Sequence, residues 1–416
     1  MNITDYKNLI TLKYLEDKNI GIWGSGVEGK AVLEKLKSLY PYKNIDILND
    51  ENAKDFIDKL DIIIKSPGVS IYKPEIQNAK KTIFITEKTI FYSELALEKV
   101  VTIGITGTKG KTTSSTFCDH ILKKIGYKTL LTGNIGVPTI GLIDEAKKSD
   151  FVITELSSYQ CSDLISFPKV GILLNLYHEH VDWHRTRKNY YGDKLHLLSG
   201  VNIVISKYKT KINPLTVTYR NGFWRLDNKK LWNTKNMKLL GEHNYRNFSF
   251  IFSALHKIGV DLSKIKQEHI DEFMPIEHRL EIVKKDNITF VNDSISTIPQ
   301  ATIACYKTFK NYNIYGILGG FDRKQSYNSI ISYLKKNKNI RYFALIGQTA
   351  QRIAKSLDDN GIQNYKVCDN LTECVNLLKQ QSVNTENPAI ILSPASPSYD
   401  MFKDFKERGM EFKKLI

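Results

Sequence analysis

The chain has 416 residues, 42% of them hydrophobic and 25% charged, an ordinary globular composition that excludes a disordered or fibrous protein and predicts two or three domains. Its formal charge of +16 comes from lysines spread along the chain, not gathered into a basic block. That distribution fits a solvated surface attracting phosphorylated small molecules and argues against nucleic-acid binding. There is no apolar signal segment at Met1–Tyr14, no run near the ~18 apolar residues of a membrane span, and no C-x-x-C pair among the five cysteines. A cytoplasmic protein without membrane insertion is expected.

Short β-rich runs alternate with amphipathic helical stretches, the rhythm of βαβ units and parallel sheets. The first series has strands at Asn19–Trp23, Ile45–Leu48 and Ile62–Ile64, and closes near Tyr92–Leu97. The second opens with a strand at Val100–Ile105, continues through Phe151–Thr154 and Val170–Leu174, and ends near Pro275. The third starts with a strand around Ile276–Val283, followed by strands near Thr289–Val291, Ile314–Leu318, Phe343–Ile346 and Ile390–Leu392. The expected fold is α/β with three domains, each on a mainly parallel sheet: residues 1–97, 98–275 and 276–416.

Strand Val100–Ile105 runs into Thr106–Thr113, TGTKGKTT, and then a helical stretch to about Lys124. Strand, glycine-rich turn and helix is the setting of a phosphate-binding loop. Gly107 and Gly110 let backbone N–H groups close on phosphate oxygens, with Thr108, Lys109 and Thr113 in the same turn. Lys111 would neutralise phosphate charge, and Thr112 would offer a hydroxyl to Mg²⁺. The loop is a shortened form, since Ile105 stands where the longer motif has glycine.

In the first series, Gly24-Ser25-Gly26-Val27-Glu28-Gly29 follows a strand and opens a helix. Asp50 ends the next strand, so a dinucleotide and a nucleoside-diphosphate site both fit. Ser66, Pro67 and Gly68 follow the third strand at the same carboxyl edge, where open α/β sheets bind ligands. In the second series, Glu155 heads the segment Glu155–Gln160, ELSSYQ, at a strand end, a natural place for a Mg²⁺ ligand. His178, Glu179 and His180 follow another strand end. Zinc is disfavoured there because no third or fourth ligand sits at familiar spacing, and a Mg²⁺- or phosphate-contacting His180 fits better. Lys194, on a helical stretch, reads from chemistry alone as an ordinary lysine.

The segments GTKGKTT, ELSSYQ, LNLYHEHVDWH and EHRLE, in this order, resemble the Mur ligase family over nearly the whole chain. GNIGVP at Gly133–Pro138, SPGVS at Ser66–Ser70 and LSPASPSYDMFKDFKERGMEF at Leu392–Phe412 are most similar to its glutamate-adding branch. The resemblance implies a first domain that binds a UDP-sugar, a central ATP domain and a third that closes over both. It implies amide formation through an acyl phosphate, with ATP, UDP-N-acetylmuramoyl-L-alanine and glutamate as partners, Mg²⁺ (two ions) as cofactor, and a monomer.

The glycine turn is then a UDP site. Gly24, Ser25, Gly26, Asp50, Ser66, Pro67, Gly68, Asn134, Ser157 and Gln160 are implied on the UDP-substrate side. Lys111, Glu155, His180 and Lys194 are implied in catalysis, and Thr112, Glu155, His180 and a carbamylated Lys194 around the metal. Asn244 and Asn247 lie near the implied adenine segment, while Arg279 and Asp293 reach the nucleotide from the third domain. Thr297, Lys324, Ser398 and Phe405 are implied to hold glutamate.

Two departures fall where the amino acid is held. Asn292–Thr297 reads NDSIST, lacking the family's lysine, and Gly319–Lys324 reads GGFDRK where GGDGK is usual. This wording is similar to a variant branch that adds L-glutamate, so both enantiomers stand as expectations. A folylpolyglutamate-synthase-like ligase is a further alternative, disfavoured because the first glycine domain would be idle there. A non-enzymatic nucleotide-binding switch needs neither that domain nor the C-terminal signature.

Overall fold

The computed structural model describes residues 9–133, 137–177, 181–208, 215–285 and 287–416. By contact, the chain divides into two compact units. One holds residues 1–236 and 245–271, and the other 237–244 and 272–416.

The first unit contains two parallel sheets. Strands β1 (Ile20–Trp23), β2 (Ile45–Leu48), β3 (Ile62–Lys65) and β4 (Ile83–Ile85) lie in the order β2-β1-β3-β4, all parallel. The second sheet, β5 (Val101–Thr106), β6 (Thr129–Gly133), β7 (Phe151–Glu155), β8 (Val170–Leu173) and β9 (Ile203–Ser206), runs β6-β7-β5-β8-β9, also all parallel. Its central strands are buried except for Val101 at the start of β5, which is why they read as continuous apolar, β-branched runs without alternation. One core joins the two layers. Ile20, Val32, Leu36 and Ile64 from the first pack in the same cluster as Ile140, Val152, Leu156 and Leu197 from the second. Each such side chain contributes about 1.5–3 kcal/mol when buried.

A small antiparallel sheet of β10 (Val217–Arg220), β11 (Phe223–Leu226) and β12 (Lys229–Asn233) also belongs to this unit. It is absent from the sequence expectations. Its two-residue turns are Asn221–Gly222 and Asp227–Asn228, with all four residues at positive φ, the geometry of tight hairpins whose twist matches the strands. Trp224 anchors it, donating to the Tyr245 carbonyl at 2.9 Å and packing edge-on against Phe252.

The second unit has one six-stranded sheet. Its strands are β13 (Glu281–Lys285), β14 (Thr289–Asn292), β15 (Asn313–Gly319), β16 (Ile340–Ile346), β17 (Tyr365–Val367) and β18 (Pro388–Leu392), in the order β13-β14-β18-β15-β16-β17. Only the β13–β14 pair is antiparallel. The expected strand Ile276–Val283 is corrected here. His278 and Leu280 take positive φ, and Arg279 N–H turns back to the Ile276 carbonyl at 3.1 Å, so extended chain begins only at Glu281. Among the described residues, no helix is long and apolar enough to cross a membrane.

Candidate active site

The carboxyl edge of β5 carries the phosphate-loop sequence. Gly107 (φ +156°) and Gly110 (φ +86°) form a turn that residues with a Cβ adopt at a cost, and the helix Lys111–Lys124 starts directly after it. That helix has no side-chain cap at its N-terminus, which leaves its dipole end available to an anion. Lys111 Nζ donates to the carbonyls of Gly107 (3.1 Å) and Thr108 (3.3 Å). Lys194, on the helix Arg187–His196, is buried and donates to the same Gly107 carbonyl at 3.0 Å. Two ammonium groups from distant parts of the sequence therefore converge on one turn.

Asn175 braces that turn, and nothing in the sequence reading singled it out for a role. Its side chain accepts from Lys109 N–H (2.9 Å) and donates to the Lys109 carbonyl (2.8 Å), while its own carbonyl accepts from Thr108 N–H (2.9 Å). Its position at the end of the central strand β8 was the available signal. The Thr108 hydroxyl meets Tyr190 OH at 2.9 Å. Asn247 packs on the turn from the far side, close enough that a Cβ on Gly110 would overlap its amide.

Glu155 is buried at the end of β7, in register with Ile105 and Gly133 on its two neighbours. Ser157 and Gln160 form a reciprocal capping box at the next helical turn. The Gln160 amide also donates to Glu28 at 3.0 Å, so these two side chains fasten ELSSYQ to the glycine-turn helix. Burial is the leading cause that raises the Glu28 carboxyl above its ordinary range, with Lys88 opposing it.

The first glycine turn packs as its spacing suggests. Gly24 has φ +111°, and a Cβ there would stand 2.7 Å from Ser66 Oγ. Asp50 takes the Trp23 indole N–H at 3.0 Å and Lys73 at 2.9 Å, and Lys73 holds its carboxyl below the usual range. The Ser66–Ser70 loop is tied to the segment Val181–His184, since Trp183 Nε1 donates to the Gly68 carbonyl (3.1 Å) and Ser70 Oγ to the Trp183 carbonyl (2.9 Å). His184, passed over in the sequence in favour of its neighbours, is fully buried between Asp193 and Ser158. Asn134, His178, Glu179 and His180 lie outside the described residues.

In the second unit, Asp293 is buried at the end of β14. It accepts from Ser296 Oγ (2.6 Å), Ser393 Oγ (2.7 Å) and Leu280 N–H (3.2 Å). Burial raises its carboxyl above the ordinary range, opposed by these bonds and by Arg279. Ser398 is buried on the loop after β18, and Phe405 opens the helix Phe405–Lys414. Lys324 is exposed, at φ +56°, with its N–H bonded to Asp322 at 2.6 Å. The Thr297 carbonyl accepts from Gln325 at 3.3 Å. Asn244 belongs with this unit, donating to the Leu240 carbonyl at 2.7 Å, whereas Asn247 on the same helix belongs with the first.

Among the described residues, no group of three or more His, Cys, Asp or Glu side chains is placed to hold a metal. Thr112 lies in the first turn of the helix after the glycine turn and Glu155 ends the neighbouring strand β7; both carry hard oxygens, a residue chemistry compatible with an ion that takes its remaining ligands from phosphate and water.

Two family models match the chain: the Mur ligase middle domain over residues 105–219, and the glutamate ligase domain of Mur ligases over residues 278–395. A UDP-N-acetylmuramoylalanine–D-glutamate ligase of Francisella tularensis subsp. novicida is 31% identical, covering 94% of either chain. A UDP-N-acetylmuramoyl-L-alanine–L-glutamate ligase of Xanthomonas euvesicatoria is 26% identical, over 97% of this chain and 96% of that one. In fold, the chain is similar to UDP-N-acetylmuramate–alanine ligase of Thermotoga maritima, with a TM-score of 0.59 and 19% identity, over 95% of this chain and 98% of the other. Phosphate turn, strand-end carboxylates and both halves of the chain thus agree: the protein belongs to the Mur ligase family.

Proposed function

We propose that the protein joins glutamate to the alanine carboxylate of UDP-N-acetylmuramoyl-L-alanine at the expense of ATP, in the cytoplasm and as a monomer. The observation that carries this reading is the convergence of Lys111 and Lys194 on the Gly107 carbonyl, at a glycine turn heading a helix. It is joined by full-length similarity to relatives named for that reaction.

Three functional domains follow: residues 1–97 for the UDP moiety, 98–275 for ATP and 276–416 for glutamate. A carboxylate is a poor electrophile, and transfer of the γ-phosphoryl group makes it an acyl phosphate that glutamate's amine can attack. The turn Gly107–Thr113 cradles the phosphates through backbone N–H groups, and Lys111 offsets charge on the transferring group. Asn247 and Asn244 are assigned to the adenine, and Arg279 and Asp293 to the nucleotide. Thr112, Glu155 and His180 would hold Mg²⁺, which when bound supplies positive charge to the phosphates.

Lys194, as an amine, is a cation and no metal ligand. Carbamylation would make it an oxygen donor, and activity that falls when bicarbonate is stripped and returns on its addition would support that form. Gly24, Ser25, Gly26, Ser66, Pro67 and Gly68 are assigned to the diphosphate, and Asp50, Asn134, Ser157 and Gln160 to the same UDP substrate. Thr297, Lys324, Ser398 and Phe405 are assigned to glutamate.

Phosphate release by purified protein with ATP, Mg²⁺ and UDP-N-acetylmuramoyl-L-alanine, with D- and L-glutamate added separately, tests the reading and assigns the enantiomer. The family default is D-glutamate. The NDSIST and FDRK wording favours testing L-glutamate alongside it. Turnover with a folate and glutamate instead would favour the folylpolyglutamate-synthase-like alternative.

A further inference from the structure

The helix Phe405–Lys414 buries an arginine at its fourth position. Arg408 is 2% exposed, and its guanidinium donates four hydrogen bonds: Nε to Ser294 Oγ (3.0 Å), Nη2 to the Ser294 and Ser396 carbonyls (2.8 and 3.1 Å), and Nη1 to the Pro397 carbonyl (3.1 Å). These acceptors sit on the loops that leave the carboxyl ends of β14 and β18. The loop after β15 closes on the same group. Gly320, at φ +144°, lies so near that a Cβ there would stand 3.1 Å from Nη1. Arg408 is thus the cross-tie beneath three strand-end loops, at the edge where parallel sheets place their ligands.

Every one of its acceptors is uncharged. Asp400 is the carboxylate that acts on Arg408 most strongly; its Oδ2 accepts from Gln348 N–H at 2.9 Å and its Oδ1 has no hydrogen-bond partner among the described residues, where no carboxylate comes within ion-pair distance of the guanidinium. Burial lowers its pKa to about 9, which still leaves it charged at neutral pH. A buried cation bonded only to neutral oxygens is costly unless a counter-charge arrives. A second, independent feature lies on the same loop: Ser398 is 2% exposed, and its hydroxyl has no hydrogen-bond partner among the described residues.

We propose that Arg408 is the positioning residue that makes this crevice select an acidic amino acid, by holding the loops after β14 and β18 together and placing a positive field behind Ser398. The guanidinium need not touch the substrate. It sets the shape of the Ser396–Ser398 backbone and favours a carboxylate over an amide at that point. The inference rests on the glutamate-ligase reading and deepens it.

The test is steady-state kinetics of the full-length protein and of its Arg408→Met and Arg408→Lys variants, varying glutamate, ATP and UDP-N-acetylmuramoyl-L-alanine in turn, with melting temperatures alongside. Arg408→Met is expected to raise the KM for glutamate about 30-fold or more, leave the other two KM values within about twofold, and narrow the preference for glutamate over glutamine about tenfold. Arg408→Lys keeps the charge but loses part of the loop tie, so a rise in glutamate KM of about 3- to 10-fold is expected, again confined to glutamate.

If the methionine variant fails to fold, the lysine variant alone decides. Three KM values rising together, or an unchanged glutamate KM, overturns the proposal. Wild-type protein that turns over with neutral amino acids and not with glutamate overturns the glutamate-ligase reading instead.

Discussion

The Tyr72 hydroxyl donates to Asp193 Oδ1 at 2.8 Å, tying the loop after β3 to the helix that carries Lys194. The other oxygen of Asp193 meets His184 Nδ1, and His184 Nε2 lies 2.9 Å from Ser158 Oγ. One buried polar chain thus fixes the SPGVS, VDWH and ELSSYQ segments to each other. His184→Ala would leave Asp193 and Ser158 short of partners inside the protein, at an expected cost of about 2–4 kcal/mol. Tyr72→Phe removes one bond and should cost about 1 kcal/mol. Urea denaturation measures both, and a His184→Ala loss no larger than that of Tyr72→Phe would show the chain to be dispensable.

Lys111→Ala should separate function from stability. At least two of its bonds go to carbonyls of its own turn, so the fold should change by no more than about 1–2 kcal/mol. Turnover should fall by about 10²- to 10³-fold, since the lysine is assigned to charge that develops during transfer. A variant with near-normal turnover would remove Lys111 from the chemistry.

Gly110→Ala tests the turn geometry. The new methyl meets both a left-handed backbone and the Asn247 amide, with an expected cost of about 1–2 kcal/mol. ATP binding, measured by calorimetry, should weaken about tenfold or more because the N–H cradle is displaced. The double variant Gly110→Ala/Asn247→Gly should recover stability in part, since it removes the overlap but not the strained φ.

Asp293 makes stability depend on pH. Its carboxyl holds a proton to higher pH in the folded protein than in the unfolded chain, chiefly because it is buried. Ionising it therefore costs the folded state more, and stability is lost as pH rises through the folded value. Asp293→Asn escapes that loss. Relative to wild type, its melting temperature should improve as pH rises above the ordinary carboxylate range, while activity falls. A difference that shrinks or stays flat as pH rises would contradict the assignment.

Much of this was readable from the sequence because the site sits on buried parallel strands. β5, β7 and β8 are apolar runs that end abruptly in Gly107, Glu155 and Asn175, and such ends mark themselves. The phosphate turn is local, so its glycines, lysine and threonine are legible as one string. Long-range placement was not. That Lys194 reaches the Gly107 carbonyl, or that Gln160 reaches Glu28, depends on packing across 87 and 132 residues of chain separation. The small sheet β10–β12 had a signal in Asn221–Gly222, but its half-exposed, lysine-rich strands lack clean alternation. His184 looked equivalent to its neighbours because burial, not residue type, sets it apart.

The central claim is that ATP activates the alanine carboxylate. The most direct measurement uses UDP-N-acetylmuramoyl-L-alanine carrying ¹⁸O in that carboxylate, with ATP, Mg²⁺ and glutamate, and follows the label by mass spectrometry of the released phosphate. Transfer of one ¹⁸O into each phosphate, with matching appearance of the glutamyl product, is the predicted result. Phosphate released without label while the glutamyl product accumulates would contradict it.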